Sequence, residues 1–227
     1  MKKILLFDID GTLLHTGGCG KVAFEKAFQE LFGISNAWGN TSPDGKTDPL
    51  IIEEIVATTL KHPLDKHEYQ NLCERYLAYF EKEIKIAPRF RLMPGIIPLL
   101  TKLSEEKDVF LGIASGNFEE AAWLKLEAGK IRHFFKFGGF GSDSKERSEI
   151  IKTAIQRGEK ACGYTFRKDQ VYVIGDTIYD VRAAKKAGVK SIGVTTGTKG
   201  KDSFSEKPDY LLPDLSDTKR FLTIVNS

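Results

Sequence analysis

The feature that most constrains this chain is a unit that occurs three times: a short apolar run, a polar turn, and then a helical pattern. Continuous apolar runs of this length are typical of strands that are buried on both faces of a parallel sheet. The three units are Ile4–Phe7 before Asp8–Thr12, Val109–Ala114 before Ser115–Asn117, and Val171–Ile174 before Gly175–Thr177. The repetition predicts an α/β fold, a Rossmann-like parallel sheet with helices on both faces.

Two further short strands and a closing helix are predicted in the last third of the chain. They cover Ser191–Thr195, Tyr210–Leu212 and Thr218–Val225.

The stretch between the first and second units has helical periodicity and almost no strand signal. Its predicted helices cover Lys21–Phe32, a segment that begins with Asp48 as N-cap and Pro49 at the first helical position, and Lys66–Ile84. Glycine-rich or proline-containing segments flank it, Thr16–Gly20 before and Ile86–Pro88 after. We therefore predict a small all-helical domain, residues 16–87, inserted after the first strand into a core of residues 1–15 and 88–227.

Composition excludes several classes of protein. The 34 Lys and Arg residues against 31 Asp and Glu give a formal charge of +3, too small to indicate a nucleic-acid-binding surface. The three cysteines lie far apart without zinc-ligand spacing, which fits a reducing compartment. The run Ile4–Phe7 is too short for a signal peptide and no apolar stretch is long enough for a membrane span. We expect a cytoplasmic protein without nucleic-acid or membrane partners, and the sequence predicts no oligomeric state.

The polar turns bring acidic side chains to the edge where open α/β sheets bind ligands. These side chains are Asp8, Asp10, Asp176 and Asp180. Carboxylates in one crevice repel one another, by about 4 kcal/mol for each pair held roughly 4 Å apart at an effective dielectric constant of about 20. Mg²⁺ offsets this repulsion and prefers oxygen ligands. A phosphate group in the crevice would meet backbone N–H groups and small polar side chains of Gly11, Thr12, Ser115, Gly116 and Asn117.

Three of these segments resemble motifs one, two and four of the haloacid dehalogenase-like hydrolase superfamily, in the family's order. They are Asp8–Leu13, Ser115–Asn117 and Gly175–Asp180. The helical segment lies where the class with a small helical cap has its cap. Gly45–Pro49 is similar to a G-x-T-D segment of the phosphoglycolate-phosphatase-like members, so the resemblance spans nearly the whole chain.

The resemblance implies a Mg²⁺-dependent phosphatase that acts on a small phosphorylated metabolite through an aspartyl-phosphate intermediate. It implies that Asp8 is the nucleophile and that Asp10 protonates the leaving alcohol and then activates water. It further implies that Mg²⁺ is held by Asp8, the backbone carbonyl of Asp10 and Asp176, with Asp180 as a further ligand or an orienting residue. Ser115 and the neighbouring amides would bind the phosphoryl oxygens.

Motif three departs from the family pattern, which is a lysine followed by Pro-x-Pro ahead of a helix. The segment Ser144–Ile150 contains neither proline and offers two cations, Lys145 and Arg147. Alignment of Glu149-Ile150 on the family's acidic-Ile pair places Lys145 at the lysine position and slightly favours it. Arg147 could bring its guanidinium to the same phosphate.

Two other functions stay open. A phosphomutase of the β-phosphoglucomutase kind would also contain Asp10, and a non-catalytic module would bind phosphorylated metabolites without turnover. Asp10 favours phosphate chemistry over carbon–halogen cleavage, because haloacid dehalogenases lack the second acid of motif one. Thr177 and Asp180 also have the spacing of a capping box, which is a purely structural role for Asp180.

Overall fold

A computed structural model of the protein describes residues 1–60, 62–197 and 200–226. Its strands are β1 Lys3–Phe7, β2 Leu14–His15, β3 Arg91–Leu92, β4 Val109–Ala114, β5 Phe137–Gly139, β6 Val171–Gly175, β7 Lys190–Val194 and β8 Tyr210–Leu212. Its α-helices are α1 Cys19–Phe32, α2 Asp48–Thr59, α3 Lys66–Lys85, α4 Ile96–Ser104, α5 Glu119–Ala128, α6 Arg147–Cys162, α7 Ile178–Ala187 and α8 Thr218–Asn226.

Six strands form one sheet in the order β5-β4-β1-β6-β7-β8, and every neighbouring pair is parallel. Strand β1 lies between β4 and β6, with Leu5 opposite Leu111 on one side and Tyr172 on the other. The predicted α/β fold is therefore confirmed, including the two late strands β7 and β8. Within the described residues, no helix is both long and apolar enough to cross a membrane.

Alternate residues of β1 pack against different helical layers. Leu5 and Phe7 join an apolar cluster with residues of α4, α5 and α8, while Ile4 and Leu6 join a second cluster with residues of α6 and α7. All five residues of β1 are buried, and burial on both faces explains why the four from Ile4 to Phe7 are continuously apolar rather than alternating. Full burial of each such side chain contributes about 1.5–3 kcal/mol, so this strand is a rigid base for the turn that follows it.

Helices α1, α2 and α3 form a third apolar cluster, separate from those of the sheet. The rings of Phe24 and Tyr76 stack with their centroids 3.9 Å apart, joining α1 to α3. The cluster also includes Phe118 and Ala121 at the start of α5, so the helical segment rests against the sheet domain. Strands β2 and β3 pair with each other where the chain enters and leaves this segment.

The prediction that Asp48 is the N-cap of the second helix was wrong by one residue. Thr47 occupies the N-cap position with an extended backbone, and Asp48 and Pro49 are the first two helical residues. The Asp48 carboxylate does not cap its own helix, because it accepts a hydrogen bond from the backbone N–H of Phe118 at 2.7 Å. A residue typical of caps is used here to join the helical segment to the sheet domain.

Candidate active site

The three motif turns begin at the carboxyl ends of three adjacent strands. Asp8 follows β1, Ser115 follows β4 and Asp176 follows β6. Backbone hydrogen bonds hold the turns to the sheet, from Asp8 N to the Ile174 carbonyl at 2.8 Å and from Ser115 N to the Gly139 carbonyl at 3.1 Å. Strand order alone therefore brings the turns together at one edge, as expected for parallel strands.

Three buried carboxylates meet at this edge. Asp8, Asp176 and Asp180 are 7%, 5% and 3% exposed, and each contributes an oxygen within 4.8 Å of the others. Burial and repulsion from Asp180 raise the pKa of Asp8 to about 7. Burial and repulsion from Asp180 and Asp8 raise the pKa of Asp176 to about 8. The cluster therefore favours any partner that adds positive charge, whether a proton or a cation.

Arg147 supplies a cation to this cluster from the first turn of α6. Its Nη2 atom forms an ion pair with Oδ1 of Asp180 and lies 3.5 Å from Oδ1 of Asp8. The side chain is 16% exposed. Although burial opposes the charge, Asp180 and Asp8 raise the pKa of Arg147 above its ordinary value. The guanidinium group of Arg147 thus lies between the carboxylates of Asp8, the nucleophile candidate, and Asp180.

The structure places Lys145 elsewhere. Its ammonium group pairs with Glu53 of α2, and both side chains are about half exposed, at 54% and 52%. The alignment that favoured Lys145 assumed the family spacing, but at the start of α6 it is the side chain of Arg147 that reaches Asp8 and Asp180. The geometry therefore favours Arg147 over Lys145 as the motif-three cation.

Asp180 is held by three protein groups. Its Oδ2 atom accepts hydrogen bonds from the backbone N–H of Thr177 at 3.0 Å and from the Thr177 hydroxyl at 2.7 Å, and its Oδ1 atom pairs with Arg147. The capping box predicted from the Thr177 and Asp180 spacing is present at the start of α7. With both oxygens engaged, the carboxylate is arranged to orient Arg147.

The Asp10 carboxylate lies outside the group of three. Its Oδ2 atom is 2.5 Å from Nζ of Lys125, and its side chain is 45% exposed, so it is open to solvent. A carboxylate beside the nucleophile candidate but open to solvent is suited to exchange protons with a substrate. The structure therefore separates Asp10 from the other three acids.

Gly11 permits the close approach of motifs one and four. Its φ angle is +84°, a left-handed conformation that side chains rarely adopt. A Cβ atom at this position would overlap the carboxylate of Asp176. Thr12, which is fully buried, donates its hydroxyl to Oδ1 of Asp176 at 3.2 Å. The backbone turn and the threonine together fix the orientation of Asp176.

The motif-two turn contacts the helical segment directly. The backbone N–H of Asp48 donates to the Gly116 carbonyl at 2.8 Å, and the Asp48 carboxylate accepts from Phe118 N at 2.7 Å. Ser115 donates its hydroxyl to Oδ1 of Asn117 at 3.2 Å. A Cβ atom at Gly116 would lie 2.7 Å from the Lys46 carbonyl, so the absence of a side chain allows this approach.

The segment Gly45–Asp48 lies across two of the motif turns. Besides the contact of Asp48 with motif two, the Gly45 backbone packs against the ring of Tyr179 in motif four, where any Cβ atom would overlap the ring. The Gly45 φ angle of +70° also favours glycine. The crevice is thus covered on one side by this loop.

Sequence reasoning missed Lys125 and the contact made by Asp48. Lys125 lies in the last turn of α5 and is 5% exposed. Although burial alone lowers its pKa, the charges of Asp10 and Asp48 raise it. One signal in the sequence was the surrounding run of alanine, tryptophan and leucine residues, in which a lysine at a buried helical position needs a partner.

Comparison with known proteins places these observations in a family. The family model described as "Haloacid dehalogenase-like hydrolase" matches residues 5–194. The phosphoglycolate phosphatase of Aquifex aeolicus is 25% identical over 225 residues, covering 97% of this chain and 96% of that protein. The pyrophosphatase PpaX of Halalkalibacterium halodurans is 26% identical over 226 residues, covering 94% of each.

Solved structures show the same fold. The crystal structure of β-phosphoglucomutase from Clostridium difficile matches with a TM-score of 0.75, covering 100% of this chain and 98% of that chain. Sequence identity to it is 19%, so this likeness concerns the fold alone.

Proposed function

The chain belongs to the haloacid dehalogenase-like hydrolase family, and we propose that it is a Mg²⁺-dependent phosphatase that hydrolyses a small phosphorylated metabolite through an aspartyl-phosphate. Relatives named as a phosphoglycolate phosphatase and a pyrophosphatase, which align with almost the whole chain, support phosphate-ester or anhydride chemistry. The proposal assigns the nucleophile to Asp8 and the acid–base role to Asp10.

The observation that carries this proposal is the pairing of two differently placed carboxylates on one turn. Asp8 is buried beside Arg147 and the other acids, whereas Asp10 is open to solvent. A buried, fixed carboxylate is suited to attack phosphorus, and a more exposed one is suited to transfer protons to and from the leaving group and water. Such a division of roles needs both acids within reach of the same phosphoryl group.

The donor set at the crevice fits Mg²⁺. Asp8 and Asp176 contribute buried carboxylate oxygens with raised pKa values, and no thiol or imidazole is among the three grouped residues within the described ranges. Hard divalent cations prefer such oxygen ligands. When bound, Mg²⁺ would neutralise phosphoryl charge and orient the phosphoryl group for in-line attack. We assign its protein ligands to Asp8, the Asp10 carbonyl and Asp176, with Asp180 orienting Arg147.

The proposed reaction has two steps. An Asp8 oxygen attacks phosphorus while the bond from phosphorus to the leaving oxygen breaks, and protonated Asp10 gives its proton to that oxygen. Water then attacks the aspartyl-phosphate as Asp10 takes a proton from it, and the bond between phosphorus and Asp8 breaks to release inorganic phosphate. Arg147 and the N–H groups of the Ser115–Asn117 turn stabilise the phosphoryl oxygens.

We propose that residues 16–87 act as a cap over a core of residues 1–15 and 88–227. The paired strands β2 and β3 lie at the junction, and the Gly45–Asp48 loop reaches motifs two and four. Closure of the cap would exclude water while Asp8 attacks and would limit substrates to small molecules. Loop residues near Gly45 would then contact the leaving group.

The test of this function is phosphate release from a panel of phosphorylated metabolites with and without Mg²⁺, compared by kcat/KM. We expect Mg²⁺-dependent release that stops on chelation and returns when Mg²⁺ is restored. Parallel assays for sugar-phosphate isomerisation distinguish a phosphomutase. Binding of phosphate analogues without any turnover of p-nitrophenyl phosphate or acetyl phosphate would instead support a non-catalytic binding module.

Mg²⁺ is expected to raise the melting temperature, and to raise it more at pH 8 than at pH 6. The raised pKa values of Asp8 and Asp176, about 7 and about 8, mean that the metal-free fold binds protons that the unfolded chain releases. Their contribution to stability is present at low pH and lost as pH rises through these values. With Mg²⁺ at roughly a hundredfold its Kd, we expect a shift of about 5–10 °C at pH 8 by thermal denaturation.

The matched control for this measurement is Asp176→Asn, which removes one ligand and one charge. It should lose most of the Mg²⁺-dependent shift while its metal-free melting temperature at pH 8 stays the same or rises. A shift of equal size at both pH values, or one that persists in Asp176→Asn, would contradict the assigned metal site.

A further inference from the structure

A buried lysine lies beside the proposed active site without a role in the mechanism above. Lys125 belongs to α5, and its side chain is 6% exposed. Lysine is almost never so buried unless its charge is paired. The groups that Lys125 contacts must therefore stabilise its charge, and those groups indicate what the residue does.

The Lys125 ammonium group joins the motif-one and motif-two turns. Its Nζ atom lies 2.5 Å from Oδ2 of Asp10 and 3.0 Å from Oδ1 of Asn117. The same Asn117 oxygen accepts the Ser115 hydroxyl at 3.2 Å. A continuous chain of polar contacts thus runs from the proposed phosphate-binding serine, through Asn117 and Lys125, to the proposed acid–base residue.

The helical segment completes the surroundings of the ammonium group. Nζ lies 5.8 Å from the centre of the Phe80 ring of α3, and the buried carboxylate of Asp48 interacts electrostatically with it. Asp48 is itself fixed by the hydrogen bond from Phe118. The acidic groups that favour the charge of Lys125 therefore belong both to the sheet domain, as Asp10 does, and to the helical segment, as Asp48 does.

We infer that Lys125 is a positioning residue that holds the Asp10 carboxylate in the orientation from which it transfers protons. Asp10 lies on a turn and its side chain is 45% exposed, so packing alone leaves its orientation free. The ammonium group, anchored by Asn117, restricts the carboxylate to one direction. The inference rests on the proposed function and adds to it the group that orients the acid.

The consequence for catalysis depends on the leaving group. An alkoxide needs a proton in order to leave, whereas p-nitrophenolate leaves without one. The ratio kcat/KM reports the steps through the first irreversible one, the transfer of the phosphoryl group to Asp8. Loss of Asp10 positioning should therefore lower kcat/KM for an alkyl phosphate and leave that for p-nitrophenyl phosphate nearly unchanged.

The experiment compares Lys125→Met, Lys125→Arg and the wild-type protein on glycerol phosphate and p-nitrophenyl phosphate. For Lys125→Met we expect kcat/KM on glycerol phosphate to fall about 10²-fold, the cost typical of a misplaced catalytic group. On p-nitrophenyl phosphate, kcat/KM should stay within about threefold of the wild-type value. Lys125→Arg keeps the charge and should recover part of the alkyl activity. Lys102→Met, at an exposed lysine of α4 paired with Glu105, is the surface control and should match the wild type on both substrates.

Each outcome separates this inference from the function on which it rests. Equal losses on both substrates, or no loss on either, would overturn the positioning role while phosphatase activity of the wild type stands. A wild type that releases phosphate from neither substrate nor from any member of the metabolite panel would overturn the proposed function and the inference with it. If Lys125→Met does not fold by circular dichroism, Lys125→Arg decides: a loss confined to glycerol phosphate supports the inference, and a uniform loss or none contradicts it.

Discussion

Replacing Asp8 by asparagine is expected to abolish phosphate release while the protein stays folded. The amide has the shape of the carboxylate but no nucleophilic oxygen, so turnover should fall by roughly four orders of magnitude or more, the scale for loss of a covalent nucleophile. The melting temperature of the variant, in contrast, should equal or exceed that of the wild type. Burial and repulsion from Asp180 raise the pKa of Asp8 to about 7, so removing its charge relieves the cluster at neutral pH.

Two measurements check this prediction together. Phosphate release is followed with p-nitrophenyl phosphate, and the melting temperature is measured without metal at pH 8, where Asp8→Asn should equal or exceed the wild type. Asp108→Asn, at an acid that is 57% exposed and precedes the amino end of β4, opposite the end that Ser115 follows, is the matched control and should retain full activity. Turnover of Asp8→Asn within tenfold of the control would exclude Asp8 as the nucleophile.

The comparison of Arg147→Met with Lys145→Met should give the largest difference in stability. Arg147 pairs with a buried carboxylate, and removal of one partner of a buried pair costs about 3–5 kcal/mol, because the remaining charge stays uncompensated. Lys145 pairs with Glu53 in solvent, where an ion pair contributes about 0–1 kcal/mol. Both changes remove one positive charge from neighbouring positions, so each is the control for the other.

Chemical denaturation without divalent cations gives the two free energies of unfolding, and p-nitrophenyl phosphate gives the two activities. Arg147→Met should be the less stable and the less active variant, and Mg²⁺ should recover part of its stability, since both cations offset the charge of one carboxylate cluster and both adjoin Asp8. If Lys145→Met loses more activity than Arg147→Met, Lys145 would be the motif-three cation, as the alignment on the family spacing predicts.

Most of the sheet could be predicted from the sequence because burial on both faces leaves an unmistakable pattern. The residues of β1 are all buried, and the four from Ile4 to Phe7 are apolar without interruption. The acids that follow β1 and β6 could be brought together for a similar reason, since parallel strands end at a common edge. The local sequence pattern was sufficient to predict the location of a residue wherever that location follows from its place along a strand.

The rest of the site depends on contacts between segments far apart in the chain. Lys145 and Arg147 are two residues apart and equally charged, and only the packing of α6 decides which one faces Asp8. Lys125 contacts Asp10, 115 residues away, and that pairing has no signal in local periodicity. Asp48 was predicted to be a helix cap because nothing in the neighbouring sequence indicates its hydrogen bond with the backbone N–H of Phe118.

If residues 16–87 act as the proposed cap, the two hydrogen bonds of Asp48 to the motif-two turn would limit how readily a metabolite reaches the site. Separating Asp48 from Gly116 and Phe118 exchanges two hydrogen bonds for bonds to water, at a net cost of about 0.5–1.5 kcal/mol each. From these two bonds alone, roughly one molecule in six to one in a hundred and sixty would have both bonds broken at equilibrium. Substrate would then bind only to these open molecules. Weakening the contact by Asp48→Asn would raise the rate of substrate binding and shorten the time that the substrate stays bound.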